Sequence, residues 1–257
     1  GYDMLNLSGK TAFVFGVASE DSIAWAICKM LAESGVNLYL GYQKRFRSRV
    51  FQLKDKLPQI AGFYPLDVAQ DATTKEFFDA FSADNPGKKA DILIHAIGFA
   101  PRTCFDRPIL FVEDQDINTA MTISANSLQR CLKFALPHLN PNSSTITLTY
   151  AASNRYVPSY GIMSMAKAAL ECWTRELACH LGPEGHRVNA ISSGPIRTIA
   201  ASGIPGFDNI LDHVEKNSPL RRNVNQEDVA GATLWLASPL SSGCLLYTSP
   251  SPRDSIR

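Results

Sequence analysis

The feature that most constrains the fold is the beginning of the chain, where a strand is followed by a turn, a helix and a second strand. Thr11–Phe15 is a short apolar run, the turn 16–19 (G-V-A-S) follows it, and a helical pattern begins near Ser22. A second apolar run covers Asn37–Gly41, and this alternation is typical of a βαβ unit with parallel strands. Because such crossovers are right-handed, we expect the turn at the carboxyl edge of the sheet, where open α/β folds bind ligands.

The alternation of strands and helices continues along the chain. Further strands are predicted at 62–65, 91–96, 145–149 and 186–191. Helices are predicted at 72–81, at 118–136, in a segment that follows 150–167 and ends near 181, and at 225–238. We therefore predict that residues 4–243 form one α/β domain, a doubly wound, Rossmann-like parallel sheet with helices on both faces.

The charge balance narrows the range of partners. Lys and Arg total 25 against 24 Asp and Glu, a formal net charge of +1, so a broad cationic field that attracts nucleic acid or anionic lipid is not expected. No apolar run has the length needed to span a bilayer, and no cluster of His, Cys and carboxylates has metal spacing. We expect a cytoplasmic protein that binds small molecules and other proteins, with no metal, no nucleic acid and no membrane.

The first turn is a candidate phosphate-binding site, although its sequence is not G-x-G-x-x-G. Gly16 and the small residues after it allow backbone N–H groups, together with Ser22 and Ile23, to approach a pyrophosphate at the helix N-terminus. A plain strand–helix connection explains the same residues equally well. Gln43, Lys44 and Arg45 follow the second strand. At this position of a dinucleotide-binding fold, an acidic residue would bind a ribose 2′-hydroxyl, whereas a cation would bind a 2′-phosphate. Because the chain has glutamine followed by two cations, the choice between NADH and NADPH stays open.

Two later strand ends add candidates for the same site. Asp67 and Val68 follow the third strand, where Asp67 is a candidate acceptor for an adenine amino group; a helix-capping role for Asp67 or Asp71 is an equal alternative. Gly98 follows the fourth strand and would let a cofactor lie close to the backbone. His95 lies just before this turn, and it is interpreted as a core or cofactor-side histidine with satisfied hydrogen bonds rather than as a catalytic one.

The candidate reactive centre lies between Tyr150 and Lys167, where a strand gives way to a helix. Six residues separate Tyr160 from Lys167, so the tyrosine is expected at or just before the helix start. Without other motifs, the favoured interpretation is that these tyrosines are core residues and that the lysine is a surface residue. Residues 192–206 are rich in glycine and small residues, which is compatible with a segment that folds over a ligand or with an ordinary surface loop.

Taken together, these motifs resemble the short-chain dehydrogenase/reductase superfamily and, within it, the bacterial enoyl-acyl-carrier-protein reductases of fatty-acid synthesis. The resemblance covers residues 4–243 and rests on 16–24 (G-V-A-S-E-D-S-I-A), 95–100 (H-A-I-G-F-A), Tyr150, Tyr160 with Lys167, and 194–204 (G-P-I-R-T-I-A-A-S-G-I). A ketoreductase, the main competitor, has a tyrosine four residues before the lysine, where this chain has Met163. A catalytically idle dinucleotide-binding protein is the alternative from another class, and it would need neither tyrosine.

The resemblance implies hydride transfer from NAD(P)H to the β-carbon of a trans-2-enoyl thioester on acyl carrier protein. It assigns catalysis to Tyr150, Tyr160 and Lys167. It assigns cofactor binding to Gly16, Ser22, Ile23, Gln43, Asp67, Val68, Gly98, Lys167, Ile196 and Thr198. It assigns the acyl pocket to Ala100, Tyr150, Tyr160, Met163, Ala200, Ile204 and Phe207. It also implies a homo-oligomer, usually a tetramer.

The end of the chain departs from the family pattern. The family has a final strand after 241–243 (S-S-G), whereas residues 244–254 read C-L-L-Y-T-S-P-S-P-R-D, and their prolines are incompatible with a central strand. The segment resembles translated sequencing-adaptor DNA, so we expect 244–257 to be a non-native or disordered tail and the final strand to be missing. Met4 resembles a natural start.

Overall fold

A six-stranded parallel sheet forms the centre of the protein. The computed structural model describes residues 3–244 of the 257-residue chain, without the side chains of residues 199 and 200. The strands are β1 (Thr11–Phe15), β2 (Asn37–Tyr42), β3 (Ile60–Pro65), β4 (Ala90–His95), β5 (Leu139–Thr149) and β6 (Arg187–Ser192). Their order is β3-β2-β1-β4-β5-β6, and every neighbouring pair is parallel. The predicted doubly wound α/β fold is confirmed.

Helices cover both faces of this sheet because successive side chains of each strand point to opposite sides. Ala12 and Val14 of β1 pack in one core cluster, and Phe13 and Phe15 pack in the other. The helices are α1 (Ile23–Glu33), α2 (Arg47–Leu53), α3 (Asp71–Asp84), α4 (Thr103–Asp106), α5 (Asp114–Met121), α6 (Ser127–Ala135), α7 (Ile162–Leu181), α8 (Ile199–Ser202), α9 (Phe207–Asn217) and α10 (Gln226–Ala237). Residues of α1 and α10 belong to the first cluster, and residues of α3, α6 and α7 to the second.

Two segments differ from the sequence-based expectation. The helix predicted for 118–136 begins earlier, with α5, and contains a π-helical turn at Thr122–Asn126. The loop expected at 141–144 lies inside β5, where the register with β4 shifts and Asn142 adopts a positive φ of 63°. Periodicity missed both features because each inserts extra residues into an otherwise regular element.

The described part of the chain ends beside the β6 edge of the sheet. Arg187 donates hydrogen bonds to five acceptors in the last turn of α10 and the segment after it, among them the carbonyl oxygens of Leu236 (2.9 Å) and Ser241 (2.9 Å). Asn189 donates to the carbonyl of Cys244 (3.0 Å). The predicted tail and the strand expected to be missing lie, apart from Cys244, outside the described residues. None of the helices within residues 3–244 is both long enough and apolar enough to cross a membrane.

Candidate active site

The carboxyl edges of the first four strands border a cleft with a cavity volume of about 430 Å³. Gly16, at the end of β1, has a φ of +111°, and a Cβ built there would lie 1.9 Å from the carbonyl oxygen of Ala96. Only glycine fits at this position, because the turn after β1 touches the backbone at the end of β4. Gly16, Gln43, Asp67 and Val68, four of the predicted cofactor residues, all line this cavity.

Two cationic residues line the part of the cleft next to the carboxyl end of β2. The Nε of Arg45 donates to Oε1 of Gln43 (2.9 Å), and its guanidinium lies over the rings of Phe46 (4.6 Å) and Phe99 (5.7 Å). Lys44 also lines the cavity. Sequence analysis identified the charges but not the orientation of Arg45, because Phe99 approaches only through the tertiary fold.

The carboxylates of Asp67 and Asp71, which follow β3, do not act as helix caps. One carboxylate oxygen of Asp67 accepts the backbone N–H of Ala69 (2.9 Å), and Asp71 is bound by Arg130 (2.8 Å) and Lys133 (2.7 Å) from α6. Neither side chain caps α3, so the alternative of a helix cap is wrong for both residues. Arg130 also donates to the carbonyl of Val68 (2.7 Å), which fixes the segment that carries Asp67 and Val68.

The first turn of α1 follows the turn that contributes Gly16, Val17 and Ala18 to the cleft, although no residue of α1 itself lines the cavity. Ser22 is the N-cap: its Oγ accepts the N–H of Trp25 (3.2 Å) and donates its proton to the carbonyl of Ser19 (2.7 Å). The hydroxyl proton of Ser22 is therefore used within the protein. A phosphate at this helix end would therefore be bound mainly by backbone N–H groups, including that of Ile23.

Tyr160 lies immediately before α7, as its spacing from Lys167 predicted. The residues on either side, Ser159 and Gly161, have positive φ values of 67° and 57°. A positive φ at a non-glycine residue is strained and persists only where the surrounding structure imposes it. The backbone thus turns sharply on both sides of Tyr160, whose ring centroid lies 5.0 Å from that of Tyr150.

Burial changes the acid–base properties of these groups. It raises the pKa of both tyrosine hydroxyls, and the nearby Tyr150 raises that of Tyr160 further. Burial also lowers the pKa of the Lys167 ammonium to about 8, although Glu171 opposes the shift. The Nζ of Lys167 donates to the carbonyl of Leu148 (3.0 Å), which holds the cation at the end of β5. At neutral pH the site therefore has two protonated hydroxyls beside a predominantly charged lysine.

An apolar cluster surrounds Tyr160 and contains most of the predicted acyl-pocket residues. Its members are Ala152, Tyr160, Met163 and Ala166, with Ala100, Phe105, Met121, Tyr150, Val157 and Ile204 packed against them. Phe207 is buried at the start of α9, and its N–H donates to the carbonyl of Ile204 (3.2 Å). Ala200 lies in α8, outside the residues whose side chains are described.

The segment after β4 is held by a residue that sequence analysis missed. Ser124, in the π-helical turn, accepts the N–H of Phe99 (2.8 Å) and donates to its carbonyl (2.7 Å). The π-turn is the signal that could have identified it, since such turns are frequent at functional sites, but a π-turn leaves no clear periodicity. His95 is a buried core histidine, as predicted, with ring nitrogens 2.8 Å from the hydroxyls of Thr147 and Ser127.

Comparison with known proteins places this site in a family. The model of the enoyl-(acyl carrier protein) reductase family matches residues 16–245. The NADH-dependent enoyl-[acyl-carrier-protein] reductase of Synechocystis is 40% identical over 245 residues, which is 93% of each chain. The chain belongs to the enoyl-(acyl carrier protein) reductase family.

Solved structures of enoyl reductases agree with this membership. The Bacillus cereus enoyl-acyl carrier protein reductase with NADP+ and indole naphthyridinone has a TM-score of 0.90 and 36% identity, with 94% of each chain covered. The Anaplasma phagocytophilum enoyl reductase in complex with NAD has a TM-score of 0.86 and 32% identity, with 94% of this chain and 90% of that chain covered. The predicted enoyl reductase, rather than a ketoreductase, is confirmed, as is the nicotinamide cofactor.

The site of this enoyl reductase has the features that a dinucleotide requires. A Cβ built at Gly98 would meet only Met163 Cε (3.9 Å) and Lys167 Nζ (4.0 Å), so the backbone there is open to a ligand. The Oγ1 of Thr149, at the end of β5, is buried with no hydrogen-bond partner in the described part of the chain. A buried unpaired hydroxyl is unfavourable unless a ligand or water bonds to it.

The two residues predicted to meet the nicotinamide carboxamide lie after β6. The side chain of Ile196 is buried in the core cluster that includes α1 and α10, so only its backbone is available to a ligand. Thr198 caps α8, with its hydroxyl accepting the N–H of Ala201 (3.1 Å). Any contact of the carboxamide with this segment is therefore expected to involve backbone groups and the remaining capacity of the Thr198 hydroxyl.

Proposed function

We propose that this chain reduces the carbon–carbon double bond of trans-2-enoyl thioesters carried by acyl carrier protein, with NADH as the hydride donor. The arrangement of Tyr160 and Lys167 carries this proposal. A buried, protonated tyrosine lies just before the helix that holds the lysine, and this tyrosine belongs to an apolar cluster suited to an acyl chain.

Tyr160 donates a hydrogen bond to the thioester oxygen as negative charge develops there. Hydride addition to the β-carbon moves an electron pair onto this oxygen as an enolate. Burial raises the pKa of the Tyr160 hydroxyl, so the proton stays on the tyrosine until the oxygen of the substrate becomes a stronger base. Protonation of the α-carbon, through Tyr160 or water, completes the reduction. Such a donor contributes several kcal/mol in a site that excludes water.

Lys167 holds the nicotinamide ribose and supplies positive charge near the developing enolate. Its bond to the carbonyl of Leu148 fixes Nζ, and an ammonium has two further donors for ribose hydroxyls. Tyr150, whose ring lies against that of Tyr160, lines the acyl pocket and orients the substrate. Bound NADH supplies the hydride, and Gly16, Gly98 and the first turn of α1 provide the surface along which it lies.

The cations after β2 affect which of the two nicotinamide cofactors, NADH or NADPH, the protein can bind. The Synechocystis relative is NADH-dependent and the Bacillus cereus structure holds NADP+, while Lys44 and Arg45 line the cleft after β2, where a ribose 2′-phosphate would lie. We therefore propose NADH as cofactor, with NADPH as an accepted alternative. We further propose acyl carrier protein as the partner, the cytoplasm as the compartment and a homo-oligomer, the tetramer usual for the family, as the assembly.

Replacing Tyr160 by Phe tests the role of its hydroxyl. With crotonyl thioester and either reduced cofactor, the loss of absorbance of the reduced nicotinamide should slow by about 10²–10³ in kcat. The affinity for NADH should stay close to that of the parent. Tyr156→Phe is the matched control, because Tyr156 is 89% exposed and lies four residues away. If Tyr160→Phe reduced the thioester as fast as the parent, the assignment of this hydroxyl would be wrong.

A further inference from the structure

One side chain joins two backbone segments that are both expected to contact the cofactor. Nε2 of Gln226 donates to the carbonyl oxygen of Asp21 (2.9 Å) and to that of Arg197 (3.2 Å). Both partners are acceptors, so only the nitrogen of the amide can face them, and each of its two hydrogens has one carbonyl. These bonds connect residues that are 205 and 29 positions apart in the sequence.

The position of Gln226 is fixed by the start of its own helix. It is the first residue of α10, and Asn225 before it forms a capping box with Asp228. Asp228 is also bound by Arg222 (2.7 Å), which adds a second tie to the same turn. Residues further along α10, including Val229 and Ala230, are buried in the same core cluster as α1. The amide therefore projects from a rigid support.

The two carbonyls belong to segments with different roles in the cleft. Asp21 directly precedes Ser22, the N-cap of α1, where the pyrophosphate is expected. Arg197 lies between Ile196 and Thr198, the residues expected at the nicotinamide carboxamide. The bonds of Gln226 thus set the distance between the turn after β1 and the segment after β6.

We propose that Gln226 is a positioning residue that holds the nicotinamide-side segment against the pyrophosphate-side turn, and so sets the affinity for the complete dinucleotide. The proposal rests on the cofactor roles proposed above for Ile196 and Thr198. Its effect is specific to ligands that reach both segments. A ligand confined to the adenosine and pyrophosphate end gains nothing from the tie to Arg197.

The variant Gln226→Met tests this role. Methionine has nearly the length and helix propensity of glutamine but has no donor, so α10 should form normally. The Kd for NADH should rise about tenfold, the result of losing two partly exposed neutral hydrogen bonds, while the Kd for ADP should stay within about twofold of the parent. Glu227→Gln is the matched control, since Glu227 is exposed on the same helical turn, and it should bind both ligands like the parent.

A second measurement does not depend on activity or on cofactor binding. The side chain of Arg197 is 66% exposed, so trypsin can recognise it, but the bond after it lies between the carbonyl held by Gln226 and the cap residue Thr198. In the full-length chain without cofactor, Gln226→Met should be cleaved after Arg197 about tenfold faster than the parent and the Glu227→Gln control.

The outcomes separate this role from a purely structural one. If Gln226→Met weakened ADP and NADH equally, the glutamine would act only on the fold around the first turn, and the proposal would be overturned. Unchanged NADH affinity with unchanged tryptic cleavage would overturn it as well. If the parent bound no nicotinamide cofactor, the proposed function would fail, and the cleavage rates alone would decide whether Gln226 holds the segment.

Discussion

Replacing Gly98 by alanine tests the cofactor site, because the substitution should raise the stability of the protein and lower its affinity for NADH. A Cβ at this position would meet nothing closer than Met163 Cε at 3.9 Å and Lys167 Nζ at 4.0 Å, both ordinary contacts. Its φ lies outside the positive range, so alanine can adopt the same backbone conformation. Within the protein itself, Gly98→Ala is therefore free of steric conflict.

The magnitudes follow from this geometry. Replacing glycine by alanine at a compatible position stabilises a protein by about 0.4–1 kcal/mol, because the unfolded chain loses conformational freedom. For a domain of this size we expect an increase in Tm of about 1–4 °C without cofactor. A methyl group inserted against a closely packed ligand costs about 1–3 kcal/mol, which raises the Kd for NADH by about 5- to 150-fold.

Thermal unfolding without cofactor and fluorescence titration with NADH measure the two effects. Gly231→Ala is the control, since Gly231 lies within α10 and a Cβ there would meet nothing within 4 Å. It should be stabilised without any change in NADH affinity. An unchanged Kd for Gly98→Ala would refute the idea that the cofactor passes close to this backbone, and a Tm lower by several degrees would refute the steric argument.

Two further predictions concern pH. Burial lowers the pKa of Lys167 to about 8, so NADH affinity should fall as pH rises through about 8. A constant NADH affinity between pH 7 and 9.5 would contradict this. The variant Lys167→Arg keeps its charge throughout this range, so the pH dependence should disappear even if its affinity is weaker. Burial lowers the pKa of His95 from 6.5 to about 3, so between these values the unfolded chain binds a proton that the folded chain does not, and stability should fall as pH decreases. In urea unfolding at pH 7 and 5, His95→Asn should lose less stability than the parent, by up to about 1.4 kcal/mol per pH unit, and parallel losses would count against this role.

Much of the fold could be predicted from local pattern. The apolar runs of β1, β2 and β4 and the glycines after them identify a parallel sheet and its ligand-binding edge, because strand alternation and turn chemistry are local properties. The spacing of Tyr160 and Lys167 placed the tyrosine just before α7, which the structure confirms. The helix predicted at 72–81 contains Phe77, Phe78 and Phe81, and all three are buried.

Other features depend on contacts between distant residues. Asp71 could be interpreted as a helix cap until Arg130 and Lys133 of α6 were seen to bind it. The orientation of Arg45 depends on Phe99, which lies 54 positions away in the sequence. Ser124 and Gln226 carry no motif, and their importance lies entirely in the backbone groups that they hold.

The sequence by itself determined the fold class and the reductase family and was enough to propose the residues for the chemistry, because these depend on residue type and on spacing within one element. Only the tertiary structure decided how Tyr160 is oriented, that burial raises its pKa and lowers that of Lys167, and which side chains join the two sides of the cleft. Desolvation and long-range hydrogen bonds arise from what surrounds a group in space, and spacing along the chain does not specify those surroundings.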